Sequence, residues 1–117
     1  MVELNFKKMQ GLVPAIIQDY KSGNVLMLGF MNKAAWKKTL QTGKVYFYSR
    51  TRKKLWMKGE TSGNIQIIKE RYIDCDDDTV LLKVDQVGGV TCHKGNASCF
   101  SRRIVNGKLE EHPAQGF

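Results

Sequence analysis

Short apolar runs of strand length, separated by turn residues, limit the fold of this chain more than any other feature. Two of these runs, residues 13–19 and 25–30, flank the sequence Lys21-Ser22-Gly23-Asn24, which is typical of a β-hairpin turn. Further strands are predicted at residues 45–48, 55–57, 64–74, 79–87 and 99–105. The pattern therefore indicates a strand-rich sheet.

One segment suits a helix. Asn32 can cap the N-terminus of a helix over residues 33–41, and Gly43 can end it. Because this helix is short and the strands are many, we expect a mainly β fold of the α+β class, in which one helix covers the sheet.

The length and composition limit the type of protein. A chain of 117 residues is long enough for a single domain, spanning residues 1–117. Its 42% hydrophobic and 26% charged residues are typical of a folded domain and exclude a disordered chain, a collagen and a coiled coil. No apolar run approaches the roughly 18 residues of a membrane span, and the start lacks the apolar core of a signal peptide. We therefore expect a cytoplasmic protein with no membrane partner.

The charges are unevenly distributed. Residues 20–59 contain ten lysines and arginines and no acid, whereas four aspartates crowd into residues 74–78. A positive field attracts phosphates, and a carboxylate cluster attracts hard cations. The alternative is a solvated basic face followed by an acidic turn.

The acidic segment offers two kinds of metal ligand. If it is extended, Asp74, Asp76 and Asp78 project to one side while Cys75 and Asp77 project to the other. Carboxylate oxygens suit Mg²⁺ or a similar hard ion, and a thiolate suits Zn²⁺. The alternative is an acidic turn before a strand.

A second cluster contains Cys92, His93 and Cys99. Together with Cys75, the two cysteines make three protein ligands, the number found in catalytic zinc sites that keep a fourth position for water. Such a zinc lowers the pKa of its water to about 7, and the imidazole of His93, next to a ligand, could relay the proton. The alternatives are inert buried thiols, a structural histidine and a purely structural zinc site.

Residues 48–63 combine cationic, aromatic and small polar side chains. The cations could neutralise phosphates, the backbone N–H groups of the small residues could form an anion-binding nest, and the indole could stack on a base. These candidates are Arg50, Arg52, Lys58, Thr61, Ser62, Gly63 and Trp56. The alternative is a basic hairpin with a core tryptophan.

Three motifs in this order resemble the phosphoribosyl-AMP cyclohydrolases of histidine biosynthesis: LWMKGETSGN at 55–64, DCDDD at 74–78 and CHKGNASCF at 92–100. The resemblance extends over residues 29–100. It implies a small, twisted, barrel-like antiparallel sheet capped by a helix, in a homodimer. The sequence departs from the Gly-Pro-Ala stretch of the family at residues 88–91, and also at Lys94 and Ser101.

The resemblance also implies a reaction, hydrolytic opening of the adenine ring of N1-(5-phosphoribosyl)-AMP at the N1–C6 bond. It further implies a Zn²⁺ held by Cys75 of one subunit and by Cys92 and Cys99 of the other, and a Mg²⁺ held by the three aspartates. We predict that a zinc-activated water attacks C6 and that His93 assists proton transfer, with Glu60 as a second candidate. The basic segment would bind the two phosphates of this small nucleotide.

Two rival functions follow from the same residues. A zinc-stabilised RNA-binding module would use the basic, aromatic segment, but it leaves the aspartates unexplained. A nucleoside deaminase would use similar metal chemistry, but its H-x-E and P-C-x-x-C signatures are missing. We therefore expect no nucleic-acid partner. The sequence assigns no role to His112.

Overall fold

The computed structural model describes residues 2–112, so the ends of the predicted 1–117 domain lie outside the described residues. The helix and strands are β1 (Val13–Asp19), β2 (Val25–Met31), α1 (Lys33–Thr42), β3 (Tyr46–Ser49), β4 (Lys54–Met57), β5 (Gln66–Ile73), β6 (Val80–Gln86), β7 (Arg102–Val105) and β8 (Lys108–Glu111). A 3-10 turn, Val87–Gly89, follows β6. The predicted mainly β fold with one helix is confirmed.

The largest sheet is mixed. Its strand order is β2-β1-β6-β5, and the pairs β1–β2 and β5–β6 are antiparallel. β1 and β6 run parallel, with Ala15 opposite Val80 and Asp19 opposite Val84, so the prediction of an antiparallel sheet is wrong for this pair. A parallel pair needs a long crossover. The segment that contains β2, α1, β3, β4 and β5 provides it.

The predicted barrel-like closure is not confirmed. Within residues 2–112 the four-stranded sheet is open, with β2 and β5 at its edges, and β3–β4 and β7–β8 form separate two-stranded sheets. Barrels have no edge strands, because their sheet closes on itself.

The core lies on one face of the large sheet. Alternate side chains of β1 and β6 point into it and are fully buried: Val13, Ala15, Ile17, Val80, Leu82 and Val84. Helix α1 adds Trp36, and the ring of Phe47 packs 5.1 Å from that of Trp56. Burial of each large apolar side chain stabilises the fold by about 1.5–3 kcal/mol.

Helix α1 begins at Lys33 as predicted and extends to Thr42, one residue beyond the predicted range, with Asn32 and Gly43 as its caps. The Asn32 side chain accepts a hydrogen bond from the Ala35 N–H at 2.8 Å. Gly43 adopts a left-handed conformation, with φ of 72°, and its N–H donates to the Thr39 carbonyl. No helix in the described part of the chain combines the length and the apolar character needed to cross a membrane.

The strands observed after residue 99 differ from the prediction. The strand expected at residues 99–105 begins only at Arg102, because the Cys99 N–H donates to the Leu26 carbonyl of β2 at 2.7 Å instead. The unpredicted strand β8 pairs with β7 around Asn106 and Gly107, whose φ angles are 50° and 76°. Asn-Gly is the strongest short signal for a hairpin, so the sequence did contain the information.

Candidate active site

An open groove of about 830 Å³ lies between the turn after β4 and the loop after the 3-10 turn. Many of the predicted site residues line it, although they come from two distant parts of the chain: Arg52, Trp56, Lys58, Glu60, Thr61, Ser62, Cys92 and His93. The sequence analysis did not single out Ser49, Thr51 and Asn64, which also line the groove. Serine, threonine and asparagine are common surface residues, so residue type alone does not identify these three as site residues.

The turn after β4 is closed by its own backbone. The Gly63 N–H donates to the Gly59 carbonyl at 2.8 Å, and the Glu60 N–H donates to the Met57 carbonyl at 3.0 Å. Gly59 has a φ of 85°, and a Cβ there would lie 2.4 Å from the carbonyl carbon of Asn64. Gly63 therefore closes the turn, while Thr61 and Ser62 line the groove.

Arg50 and Arg52 both lie in the turn between β3 and β4, but they line different grooves. Arg52 lines the large groove, whereas Arg50 lines a smaller neighbouring groove of about 260 Å³. The Arg50 guanidinium lies 4.8 Å from the ring centre of Phe30, a distance at which a cation and an aromatic ring attract each other. Trp56 lines both grooves.

The Cys92 thiol is near enough to the Cys99 thiol to influence its ionisation. Cys92 is buried and Cys99 is exposed, and neither forms a disulfide. Desolvation and the neighbouring Cys92 thiol raise the pKa of Cys99, while the Lys58 ammonium opposes the rise. A pair of free thiols beside His93, at the edge of a groove, suits a thiophilic ion such as Zn²⁺.

Cys75 does not join this pair within one chain. It is exposed in the turn between β5 and β6. In residues 2–112, the three aspartates are the only group of three or more His, Cys, Asp or Glu side chains whose ligand atoms lie close together. The three cysteines therefore do not form one site within a single copy of the chain.

The three aspartates do converge, but the predicted reason is wrong. Residues 74–78 form a turn rather than an extended segment, since the Asp77 φ is 63° and the N–H groups of Asp78 and Thr79 donate to Asp74 Oδ1. One ligand oxygen from each of Asp74, Asp76 and Asp78 lies within 4.8 Å of the others. The turn, not strand alternation, brings the carboxylates together.

The acidic turn already holds a cation from the chain. Lys8 Nζ lies 2.9 Å from Asp76 Oδ2 and 3.2 Å from Asp78 Oδ2. Desolvation opposes ionisation of Asp74, but the hydrogen bonds from Asp78, Asp76 and Thr79 prevail and lower its pKa to about 2. The hydrogen bond with Asp74 raises the pKa of Asp78. An all-oxygen donor set with this much negative charge fits Mg²⁺. Lys8 was not predicted to take part, because it lies 68 residues from Asp76 along the chain.

His112 lies at the end of the β7–β8 hairpin, where its N–H donates to the Ser101 carbonyl at 2.7 Å. It does not line either groove.

Comparisons with known proteins agree with the three motifs. A protein-family model described as phosphoribosyl-AMP cyclohydrolase matches residues 27–101. The chain is 61% identical over 107 residues to the phosphoribosyl-AMP cyclohydrolase of Desulforapulum autotrophicum, an alignment that covers 92% of this chain and 86% of that protein. It is 56% identical over 110 residues to the phosphoribosyl-AMP cyclohydrolase of Desulfotalea psychrophila, and this alignment covers 93% of this chain and 87% of that protein. The predicted resemblance is confirmed: the chain belongs to the phosphoribosyl-AMP cyclohydrolase family.

Proposed function

We propose that this protein is an enzyme of histidine biosynthesis that opens the adenine ring of N1-(5-phosphoribosyl)-AMP by hydrolysis of the N1–C6 bond. The observation that carries the proposal is the large groove, where the turn after β4 meets Cys92 and His93. This groove combines cations for phosphate, an indole for the purine and the Cys92 thiol, whose neighbour Cys99 lies outside the groove lining, for a metal. The family membership and the 61% identity to a named cyclohydrolase support the same reaction.

The substrate has two phosphates, and the two arginines lie in separate grooves. We assign one phosphate to Arg52 and the other to Arg50, because a guanidinium forms strong charge-assisted hydrogen bonds with phosphate oxygens. Trp56 stands between the grooves, where its ring can stack on the purine. Thr61 and Ser62 offer hydroxyl groups to the ribose or phosphate oxygens.

Cys92 and Cys99 of one subunit and Cys75 of the other would hold Zn²⁺. When bound with an open position, zinc lowers the pKa of a water molecule so that hydroxide is available at neutral pH. His93 lines the groove next to Cys92, and its imidazole can accept the proton of the attacking water and return it to the leaving nitrogen. Glu60 lines the same groove and is the second candidate for this proton transfer.

The acidic turn would hold Mg²⁺ through Asp74, Asp76 and Asp78. Its role in this proposal is to organise a phosphate or the ring of the substrate, since Mg²⁺ is commonly bound by carboxylates together with substrate phosphates. The cysteines are unpaired. Thiols that bind metal must stay reduced, and we therefore place the protein in the cytoplasm.

A second copy of this chain would complete the zinc site, because Cys75 lies apart from the other two cysteines. The outer face of the large sheet offers a surface for it. Leu28, Ile16, Leu81 and Tyr72 form one apolar row across all four strands, in register from β2 to β5. Leu28 and Tyr72 are 45% and 46% exposed. We propose a homodimer with no nucleic-acid or membrane partner.

The reaction is tested by ultraviolet absorbance of N1-(5-phosphoribosyl)-AMP mixed with purified protein of known metal content. We expect the spectrum to change as the ring opens, without release of ammonia, and we expect chelators to stop the reaction. Ammonia release would indicate a deaminase instead. An unchanged spectrum together with salt-sensitive RNA binding would favour the RNA-binding module.

The shared site is tested by mixing subunits. Cys75→Ser and Cys92→Ser dimers should each be inactive, because each lacks a ligand in both sites. After subunit exchange, a mixed dimer has one complete site, so an equal mixture should recover about a quarter of the wild-type activity. Lack of recovery, under conditions where labelled subunits demonstrably exchange, would contradict the shared site.

A further inference from the structure

Thr91, the residue before Cys92, is 3% exposed, yet each of its polar groups is hydrogen-bonded. Its N–H donates to the Asn96 carbonyl at 3.1 Å, and its hydroxyl donates to Gln86 Oε1 at 2.8 Å. Its carbonyl accepts a hydrogen bond from Lys58 Nζ at 2.6 Å. A buried residue whose polar groups are all hydrogen-bonded is held in one arrangement. Thr91 is therefore fixed to three separate parts of the chain.

Gln86 is itself held rigidly. Its Oε1 also accepts a hydrogen bond from Gln66 Nε2 at 2.8 Å, and its own Nε2 donates to the Asn64 carbonyl at 2.8 Å. Gln66 is fully buried and opposes Gln86 in the β5–β6 ladder. The Thr91 hydroxyl is thus tied to the end of the large sheet.

Lys58 joins the other wall of the groove to the same residue. Its backbone N–H donates to the Val45 carbonyl at 3.0 Å, which fixes the start of the turn after β4. Its ammonium donates to the Thr91 carbonyl, a charge-assisted bond of the stronger class. The two sequence-distant walls of the groove therefore meet at the Lys58–Thr91 contact.

Cys99 is supported from elsewhere. Its N–H donates to the Leu26 carbonyl at 2.7 Å, and the buried Ser98 hydroxyl donates to the Val25 carbonyl at 2.8 Å. The position of Cys99 thus depends on β2. Cys92 is held by its own N–H, which donates to the Asn96 carbonyl at 3.0 Å, and by the hydrogen bonds of its neighbour Thr91 to Gln86 and Lys58. Loss of one support would change the position of one thiol relative to the other.

We propose that Thr91 and Lys58 are positioning residues for the metal site: together they place the Cys92 thiol against Cys99 and keep His93 in the groove wall. This inference rests on the proposed function, because it requires a metal at the two cysteines. Residues outside the ligand set that orient metal ligands typically change metal affinity or activity by about 10–100-fold when they are substituted.

The experiment measures the Zn²⁺ dissociation constant of the dimer by chelator competition. Thr91→Val removes the hydroxyl at nearly constant shape, and Lys58→Met removes the ammonium. We expect each to weaken zinc binding by about 10-fold or more. Thr91→Ser keeps the hydroxyl and should restore binding to within about twofold of wild type, and Lys54→Met, at an exposed position on β4, should leave it unchanged.

A second readout separates positioning from stability. In the Co²⁺-substituted protein, the thiolate-to-metal charge-transfer band should change in Thr91→Val and Lys58→Met but not in Thr91→Ser. A merely structural role would lower the unfolding midpoint of the metal-free protein and leave zinc affinity and this band unchanged, which would overturn the inference. If Thr91→Val does not fold, the Co²⁺ band of Lys58→Met decides, because this variant alters only a half-buried side chain. Its zinc affinity alone does not decide, since loss of the Lys58 charge also raises the pKa of Cys99.

The proposed zinc site fails in a different way. If wild-type protein binds no zinc, or if Cys92→Ser binds it as tightly as wild type, then the zinc site itself is wrong and the inference falls with it. If wild type binds zinc through Cys92 while Thr91→Val and Lys58→Met bind it equally well, the inference alone is wrong.

Discussion

Gly59 and Gly63 offer a matched pair of substitutions within one turn. Both adopt left-handed conformations, with φ of 85° and 83°. They differ in the space around them. A Cβ at Gly59 would lie 2.4 Å from the carbonyl carbon of Asn64 and 2.5 Å from its oxygen, whereas a Cβ at Gly63 would meet nothing within 4 Å. The two alanine variants therefore separate conformational strain from steric overlap.

The expected losses of unfolding free energy follow from these two effects. A left-handed conformation costs a residue with a Cβ about 1–2 kcal/mol, and both variants share this cost. The overlap at Gly59 involves backbone atoms, which cannot rotate away, and overpacking of this kind adds about 1–3 kcal/mol. We therefore expect Gly63→Ala to lose about 1–2 kcal/mol and Gly59→Ala about 2–5 kcal/mol.

The assay is equilibrium urea unfolding of both variants and wild type, with the denaturant slopes compared. Equal slopes would mean that the midpoints report stability alone, and a slope of about 1–3 kcal/mol per molar urea makes the difference measurable. Equal unfolding free energies for the two variants would refute the reasoning, because the steric overlap would then contribute nothing.

Three further results are expected. Arg50→Gln and Arg52→Gln should each raise the KM for the two-phosphate substrate by about tenfold. Only one of the two variants should weaken inhibition by AMP, because AMP has one phosphate. Equal losses of AMP affinity would place both arginines on one phosphate. Ser98→Ala should lower the free energy of unfolding in urea by about 1–3 kcal/mol, because the Phe100 N–H loses its acceptor. A decrease below about 0.5 kcal/mol would be inconsistent with this hydrogen bond. Asp74 has its pKa lowered from 3.8 to about 2, so its stabilising contribution is complete above its ordinary pKa and is lost as the pH falls through about 2. Asp74→Asn should therefore flatten the pH dependence of unfolding free energy between about 4 and 2, and an unchanged slope there would contradict this role.

Local signals in the sequence predicted the elements well. The hairpin of β1 and β2 and the limits of α1 follow from turn residues, from the Asn32 side chain and from Gly43, each of which acts on residues at most four positions away. The same kind of signal, Asn106-Gly107, marks the β7–β8 hairpin, which was not predicted. Such signals are reliable because a few backbone hydrogen bonds decide them.

The candidate site was predictable only as a set of residue types. The ordered motifs indicated cations, thiols and carboxylates, and the structure brings eight of the predicted residues to one groove. The turn at residues 74–78 shows the limit of this reasoning. The carboxylates converge as predicted, but through hydrogen bonds to Asp74 Oδ1 rather than strand alternation.

The sequence by itself determined the family, the strand-rich class, the helix and the chemistry available to the site, since these depend on residue identity and short spacings. Only the tertiary structure decided that β1 and β6 run parallel, that Lys58 reaches Thr91 across 33 residues of chain, and that Cys75 lies apart from the other cysteines. The physical reason is that such contacts are selected by the packing of the whole core. Many chain paths satisfy the same local preferences, and burial of the apolar faces of β1 and β6 selects among them.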